Sequence, residues 1–489
     1  MKNRPGWAAL YAFEVDRAAA APVFRQVYLQ LRSAILSGAL RPGTKLPSTR
    51  ELATQLGISR SAVVAAFEQL LAEGYAVAKK GAGTFVASDL PEPFDVGRGR
   101  SKPSTPVPKP TASSGDLGDF VDVTVQSDAR PFNLGRTLID ARTAELWRKL
   151  NARTLRSFGG DHLGYGDPQG MLGLRKSVCD YLQAARAVRC EPGQVLITAG
   201  TQQAVDLVAR VMQGPDKEVW VEDPGYPLTR LALAAAGAKV RPIPVDQYGL
   251  DVAEGIRRAP NARAVFITPS HQFPKGVVLS MARRLELLAW ARVSGAWIVE
   301  DDYASEFRYG GRPLASLQGL DEAERVIYIG TLNKALFPGL RLGYAVLPPP
   351  LVRPFVTARY LMDRQPSTLC QAVVTAFMEE GHFASHIRRM RDKYRTQRDA
   401  LVTALRRRLG DHVTVDPPDQ GMHLVAYTRQ GLSDVAIERA AREHEIVVRA
   451  MSRLYVEAPP QSALMLGFSG YPHQSIAPAI ARLARAFER

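Results

Sequence analysis

The chain has 489 residues, 46% hydrophobic and 23% charged, enough to bury a large core and to divide into two or more domains, which excludes a disordered or fibrous protein. Its formal net charge of +15 favours a polyanionic partner without demanding one. Three cysteines with no CxxC pair, and no histidines at zinc-like spacing, support neither a disulfide framework nor a structural zinc site, so a reducing, cytoplasmic setting without a metal is expected. The opening MKNRPGWAALYAF lacks the apolar core of a signal peptide, and no run of about 18 apolar residues occurs, so no membrane partner is expected.

From Val23 to Leu36 the residues Val23, Val27, Leu31 and Ile35 recur every fourth position, which predicts an amphipathic helix stopped by Gly38. After the turn-rich LRPGTKLPS, Ser48 and Glu51 have the spacing of a capping box for a second helix. Leu52 and Leu56 should face inward there, and Gly57 closes it. Ser59 caps a third helix with an inner face of Val63, Phe67, Leu70 and Leu71, while Arg60 and Ser61 project from its start. Such a layout is a helix-turn-helix, whose recognition helix offers N-terminal side chains to base edges. Beyond Gly74, YAVAKKGAGTFVA reads as two short strands around a basic tip of Lys79, Lys80 and Gly81.

Residues 88–130 are rich in Pro, Ser, Gly and Asp, the composition of a semi-stiff linker. The expected domains are therefore 1–87, a winged helix-turn-helix; 88–130, the linker; and 131–489, a large body. Their net charges are +6, −2 and +11, so both folded parts are suited to lie against a phosphate backbone.

In the body, apolar runs end abruptly in polar or glycine-rich residues: VLITAGTQQ, VWVEDPGY, AVFITPSHQFPKG, AWIVEDDY, VIYIGTLNK and LGYAVLP. Helical stretches such as QAVDLVARVM alternate with them, the pattern of an α/β fold. Ligand groups in such sheets gather at the carboxyl ends of the strands. A coenzyme aldehyde needs a lysine that loses its proton easily, a carboxylate for its ring nitrogen and a cradle for its phosphate. Lys334 follows VIYIGT. Asp301 ends AWIVE, and Tyr303, on the same side, is placed to meet a phenolic oxygen, whereas alternation turns Asp302 away. Arg341 can grip a phosphate bidentately; Gly200, Thr201 and Gln202 open a helix whose amides form a second anion clamp; Tyr226 can stack on a ring.

The order of the N-terminal pieces, LPSTRELATQLGISRSAV then EGYAVAKKGAGTFV, resembles the GntR family of bacterial regulators. The resemblance implies DNA contacts at Arg50, Arg60 and Ser61, with Lys79, Lys80 and Gly81 on backbone or groove; Val64 stands where some relatives carry Arg. The body, through SHQFPKG, EDDYASEF and GTLNKALFPGLRLGY, resembles fold-type I aminotransferases. The whole chain resembles the MocR/GabR-type branch of the GntR regulators. This implies a central, mostly parallel sheet with a smaller C-terminal lobe, and pyridoxal 5'-phosphate held as an aldimine on Lys334. It also implies a sensor of an amine, amino acid or B6 vitamer, promoter double-stranded DNA as partner, and a head-to-tail homodimer. His271 and Gln272 occupy the family's loop facing the ring. Asn333 stands for the family's Ser and Lys275 for its Thr. For an effector carboxylate, Arg453 in MSRLY is the best-placed arginine, followed by Arg449. The alternatives are an aminotransferase with an appended DNA-binding domain, whose chemistry Lys334, Asp301 and Tyr303 would permit, and a dimerisation scaffold with a vestigial pocket.

Overall fold

The computed structural model describes residues 10, 13–90, 129–157, 159, 163–212, 217–310 and 314–488. Contacts divide the chain into two compact units, Met1–Ala112 and Ser113–Arg489. Residues 91–128 of the expected linker lie outside the described residues.

Among its described residues the first unit carries the helices α1 (Val23–Leu36), α2 (Thr49–Leu56) and α3 (Arg60–Ala72). Two short antiparallel strands follow, β1 (Ala76–Lys79) and β2 (Gly83–Val86), paired from Ala76↔Val86 to Lys79↔Gly83. The capping box is formed: the Glu51 amide donates to Ser48 Oγ at 3.2 Å and the Ser48 amide to Glu51 Oε2 at 2.8 Å. Gly57 ends α2 at φ 62° and Ser59 caps α3. Val27, Leu31, Ile35, Leu52, Val63, Phe67 and Leu70 form the core, but Val23, Leu56 and Leu71, expected inside, are only half-buried. Tyr28, Ala34 and Ala66 are buried as well, because the seam follows both i+3 and i+4 steps rather than a strict four-residue repeat.

In the second unit, an eight-stranded sheet runs in the order β3 (Val195–Thr198), β10 (Gly343–Val346), β9 (Val326–Thr331), β8 (Trp297–Asp302), β7 (Ala264–Ile267), β4 (Glu218–Asp223), β5 (Lys239–Asp246), β6 (Gly249–Leu250). The stretch β9–β8–β7–β4–β5 is parallel; β10 is antiparallel to both neighbours and β6 to β5. Strand β9 is buried along its whole length, as strands covered on both faces are. Its period of two divides it between layers. Ile327 and Ile329 pack with Ala204, Val208 and Phe355 on one face, and Tyr328 packs with Leu174, Val178 and Phe377 on the other.

A smaller antiparallel sheet of β11 (Val413–Val415), β12 (His423–Thr428), β14 (Ala463–Gly467) and β13 (Arg449–Ala450) forms the C-terminal lobe. Helices Asp434–Glu443, His473–Ala484 and the 28-residue His382–Leu409 accompany it. Among the described residues no helix is long and apolar enough to cross a membrane.

Candidate functional site

The carboxyl ends of β3, β4, β8 and β9 face the C-terminal lobe across a cavity of about 500 Å³, within the usual range for small-molecule pockets. Gly200, Thr201, Gln202, Tyr226, Asp301, Tyr303, Lys334 and Arg341 all line it, as do Arg449 and Arg453 from the opposite wall.

Lys334 sits in the single helical turn Leu332–Ala335 that follows β9. Its amine donates to the Gly135 carbonyl at 3.2 Å. Burial pulls the ammonium down to about 8, opposed by the charge of Asp301. Asp301 is pushed up to about 8 by burial and by neighbouring Asp302 and Glu222, with Lys334 acting the other way. Burial raises the Tyr303 hydroxyl well above its ordinary value and Asp301 adds to this; burial and then Asp301 push Tyr226 up to about 12.

Asp301 Oδ1 and Tyr303 Oη are buried and make no hydrogen bond within the protein. Buried polar atoms are seldom left so. A ligand ring with a protonated nitrogen and a phenolic oxygen fits both. Asp302 points away, as alternation requires, and accepts from Arg186 Nε at 2.8 Å and from the Tyr328 hydroxyl at 2.5 Å.

Gly200 and Asn333 line the cavity together. Gly200 has φ 124° and N-caps the helix Thr201–Val211, whose first amides have no intrahelical partner. A Cβ on Gly200 would stand 2.6 Å from Asn333 Nδ2. Asn333 Oδ1 accepts from the Leu342 amide at 2.9 Å, which ties the lysine turn to the segment after exposed Arg341. The departure from Ser is thus accommodated by a backbone contact.

Two expected wall residues stand behind the cavity instead. Gln272 is 1% exposed and donates to the carbonyls of Pro224 and Phe273 at 2.8 and 2.5 Å, so its amide is consumed in shaping its own loop. His271 is buried against Gly421, where a Cβ would meet its Nε2 at 2.2 Å. Burial and then His423 hold it neutral, at about 3. Lys275 also turns away, donating to the Val245 carbonyl at 3.0 Å.

Sequence reasoning missed Asn133, Leu134 and Gly135, together with Met422, His423, Glu438 and Met465 from the C-terminal lobe. Only Gly135, at φ 73°, left a trace in the sequence. On the C-terminal wall Arg453 contacts Glu438 at 3.6 Å.

In the first unit, Arg50, Arg60, Ser61, Lys79, Lys80 and Gly81 are all exposed. Arg60 Nε donates to Thr49 Oγ1 at 3.3 Å across the helix-turn-helix. Lys79 lies 5.0 Å from the Phe85 ring centroid. Lys45, unflagged by the sequence, bridges to Phe85 and lies 5.8 Å from the same ring, adding a cation to the wing.

A winged helix on the same chain as a strand-end pocket with a buried lysine defines a DNA-binding regulator built on an aminotransferase scaffold. Residues 132–483 match the family model for aminotransferase class I and II, and 24–86 that for bacterial regulatory proteins of the gntR family. The "Probable rhizopine catabolism regulatory protein MocR" of Rhizobium meliloti is 38% identical over 97% of this chain and 95% of its own. The pyridoxine biosynthesis transcriptional regulator PdxR of Corynebacterium glutamicum is 30% identical over 94% and 95%. Among solved structures, the α-aminoadipate aminotransferase LysN of Thermus thermophilus, complexed with N-(5'-phosphopyridoxyl)-L-leucine, is similar at a TM-score of 0.67 and 27% identity, over 77% of this chain and 95% of that one. The chain belongs to the MocR-type transcriptional regulators of the GntR family, with a body of the fold-type I aminotransferase fold.

Proposed function

We propose that this regulator holds pyridoxal 5'-phosphate through Lys334 and uses it to sense an amine, amino acid or B6 vitamer, adjusting the affinity of its winged helix for promoter DNA. The observation that carries the reading is the convergence, on one cavity, of a buried lysine amine with two buried oxygens, on Asp301 and Tyr303, that lack any protein partner. Bound there, the cofactor supplies an aldehyde that reacts reversibly with amines.

Each residue then has a task. Asp301 holds a proton at the ring nitrogen, Tyr303 donates to the phenolic oxygen, and Tyr226 covers a ring face. Arg341 and the amides of Gly200 to Gln202 bind the phosphate. Arg453, with Arg449 beside it, binds an effector carboxylate. Burial keeps the Lys334 amine readily deprotonated and therefore nucleophilic. A ligand shifts DNA affinity only if it binds two arrangements of the protein differently.

The regulator acts as a head-to-tail homodimer in this reading, placing two winged helices on two half-sites. Exposed Leu163, Tyr165, Tyr360 and Leu361 support such an interface; Arg364 lies over both tyrosine rings, at 4.3 and 5.6 Å. Domain limits of 1–87, 88–130 and 131–489 belong to the same proposal.

Visible absorbance of the bound cofactor, lost in Lys334→Ala, tests the cofactor half. Salt-sensitive binding to the protein's own promoter that changes with the cofactor or an amine tests the sensor half, and absence of any DNA binding sinks it. Retention of Lys334, Asp301 and Tyr303 favours a second reading, transamination; sustained turnover of an amino donor with a keto acid would establish it.

A further inference from the structure

Arg453 is carried on the short segment between β13 and β14, and three acidic side chains grip that segment. On the helix Asp434–Glu443, Asp434 is 2% exposed and accepts from the Ser452 amide and hydroxyl at 2.9 and 2.6 Å and from the Ala463 amide at 3.1 Å. One turn on, Glu438, also 2% exposed, accepts from the Ala450 amide at 3.2 Å and from Arg442 at 3.2 Å, and its Oε2 lies 3.6 Å from Arg453 Nε. From the end of β4, Asp223 accepts from the amides of Val456, Glu457 and Ala458 at 2.9, 2.8 and 2.7 Å.

The contact with Glu438 is made through Nε. A guanidinium held from that side keeps the edge formed by its two terminal nitrogens for another partner, and that edge matches a carboxylate bidentately. Arg453 and Glu438 both line the cavity, and the Arg453 side chain is 46% exposed. The Ala450 amide and Arg442 fix Glu438 in place, so it is a post rather than a displaceable lid.

We propose that Glu438 is a positioning residue that aims the outer edge of Arg453 at the effector, and that this pair makes the pocket select amines bearing a carboxylate over amines without one. The inference rests on the cofactor and effector reading above.

The test uses the full-length, cofactor-loaded protein. Straight-chain amino acids from glycine to 6-aminohexanoate, and the alkylamine of matching length for each, are titrated against the visible absorbance of the cofactor. Glu438→Gln should weaken the best amino acid about tenfold, the scale of a charge-assisted bidentate contact, and leave its alkylamine within about twofold. Arg453→Lys keeps the charge but lacks both Nε and the fork, and should give the same loss. Glu438→Gln added to Arg453→Lys should then weaken the amino acid no further, the signature of action through one residue.

Tighter amino-acid binding by Glu438→Gln would make Glu438 a competitor for Arg453 and overturn the proposal, as would an equal effect on acid and amine. If Glu438→Gln fails to keep the cofactor, an unchanged acid-to-amine preference in Arg453→Lys overturns it instead. Absence of any preference for the acids in the wild type removes the proposal and the carboxylate anchor together. A cofactor band that still disappears in Lys334→Ala leaves the cofactor reading standing in every one of these cases.

Discussion

The carbonyl of Gly135 accepts a 3.2 Å hydrogen bond from Lys334 Nζ, and a Cβ on Gly135 would stand 2.3 Å from that same nitrogen. The glycine therefore both holds the amine and leaves it room. At φ 73° an alanine is strained as well, by about 1–2 kcal/mol. Gly135→Ala is expected to displace the amine and cut cofactor retention after desalting severalfold, toward the level of Lys334→Ala, while thermal unfolding shifts by only a few degrees. Unchanged retention would remove Gly135 from the site.

Arg186 and Asp302 form a buried pair behind that pocket, at 6% and 2% side-chain exposure. The guanidinium also donates to Ser270 at 2.7 Å and to the Leu314 carbonyl at 2.5 Å, so it joins β8 to the loop after β7. Deleting one partner leaves a buried charge alone, which costs about 3–5 kcal/mol. Arg186→Ala should lose stability on that scale in denaturant unfolding, and Asp302→Asn added to it should recover part of the loss. A single variant within about 1 kcal/mol of wild type would contradict this account.

How far the sequence carried the site follows from what local chemistry encodes. Asp301 lies at the end of an apolar run, and Lys334 and Tyr226 follow such runs within three residues, so the ends of those runs mark the carboxyl edge of the sheet where all three gather. Asp302 turned away from the pocket as that periodicity demanded. The capping box at Ser48 and Glu51 is likewise a relation within three residues. Gly135, His423 and Glu438 reach the cavity through tertiary packing of separate segments, which no periodicity reports. Gln272 was misplaced for the converse reason: its loop does approach the site, but the amide is spent on the carbonyls of Pro224 and Phe273. Lys45 joins the wing only because it bridges Phe85 from forty residues away in sequence.

Glu306 gives one separable part of the pH response of the core. It is buried, its Oε2 has no hydrogen-bond partner, and Oε1 accepts from Tyr181 at 3.2 Å. Burial, then Asp302, pushes its carboxyl up to about 7. Between its ordinary range and that value the folded protein binds the extra proton, so stability from this group falls as pH rises from about 4.5 to 7. Glu306→Gln removes the dependence. Relative to wild type, the variant should gain on the order of 2–3 kcal/mol between pH 4.5 and pH 8, measured as the difference in denaturant unfolding at the two values. A constant offset between the two proteins at both values would mean that Glu306 ionises normally.

The winged helix separates two kinds of cation. Arg60 begins α3 and is steadied by Thr49 at 3.3 Å, the position from which a recognition helix reads base edges. Lys80 is exposed at the turn between β1 and β2, where a phosphate is the natural partner. Arg60→Ala should weaken the promoter by about 1–3 kcal/mol and flatten the difference between promoter and unrelated duplex. Lys80→Ala should weaken both duplexes alike and reduce the slope of log affinity against log salt by about 1. Titrations of both duplexes at several salt concentrations distinguish the two. If Arg60→Ala lowers both affinities equally while Lys80→Ala erases discrimination, the wing rather than α3 reads the sequence.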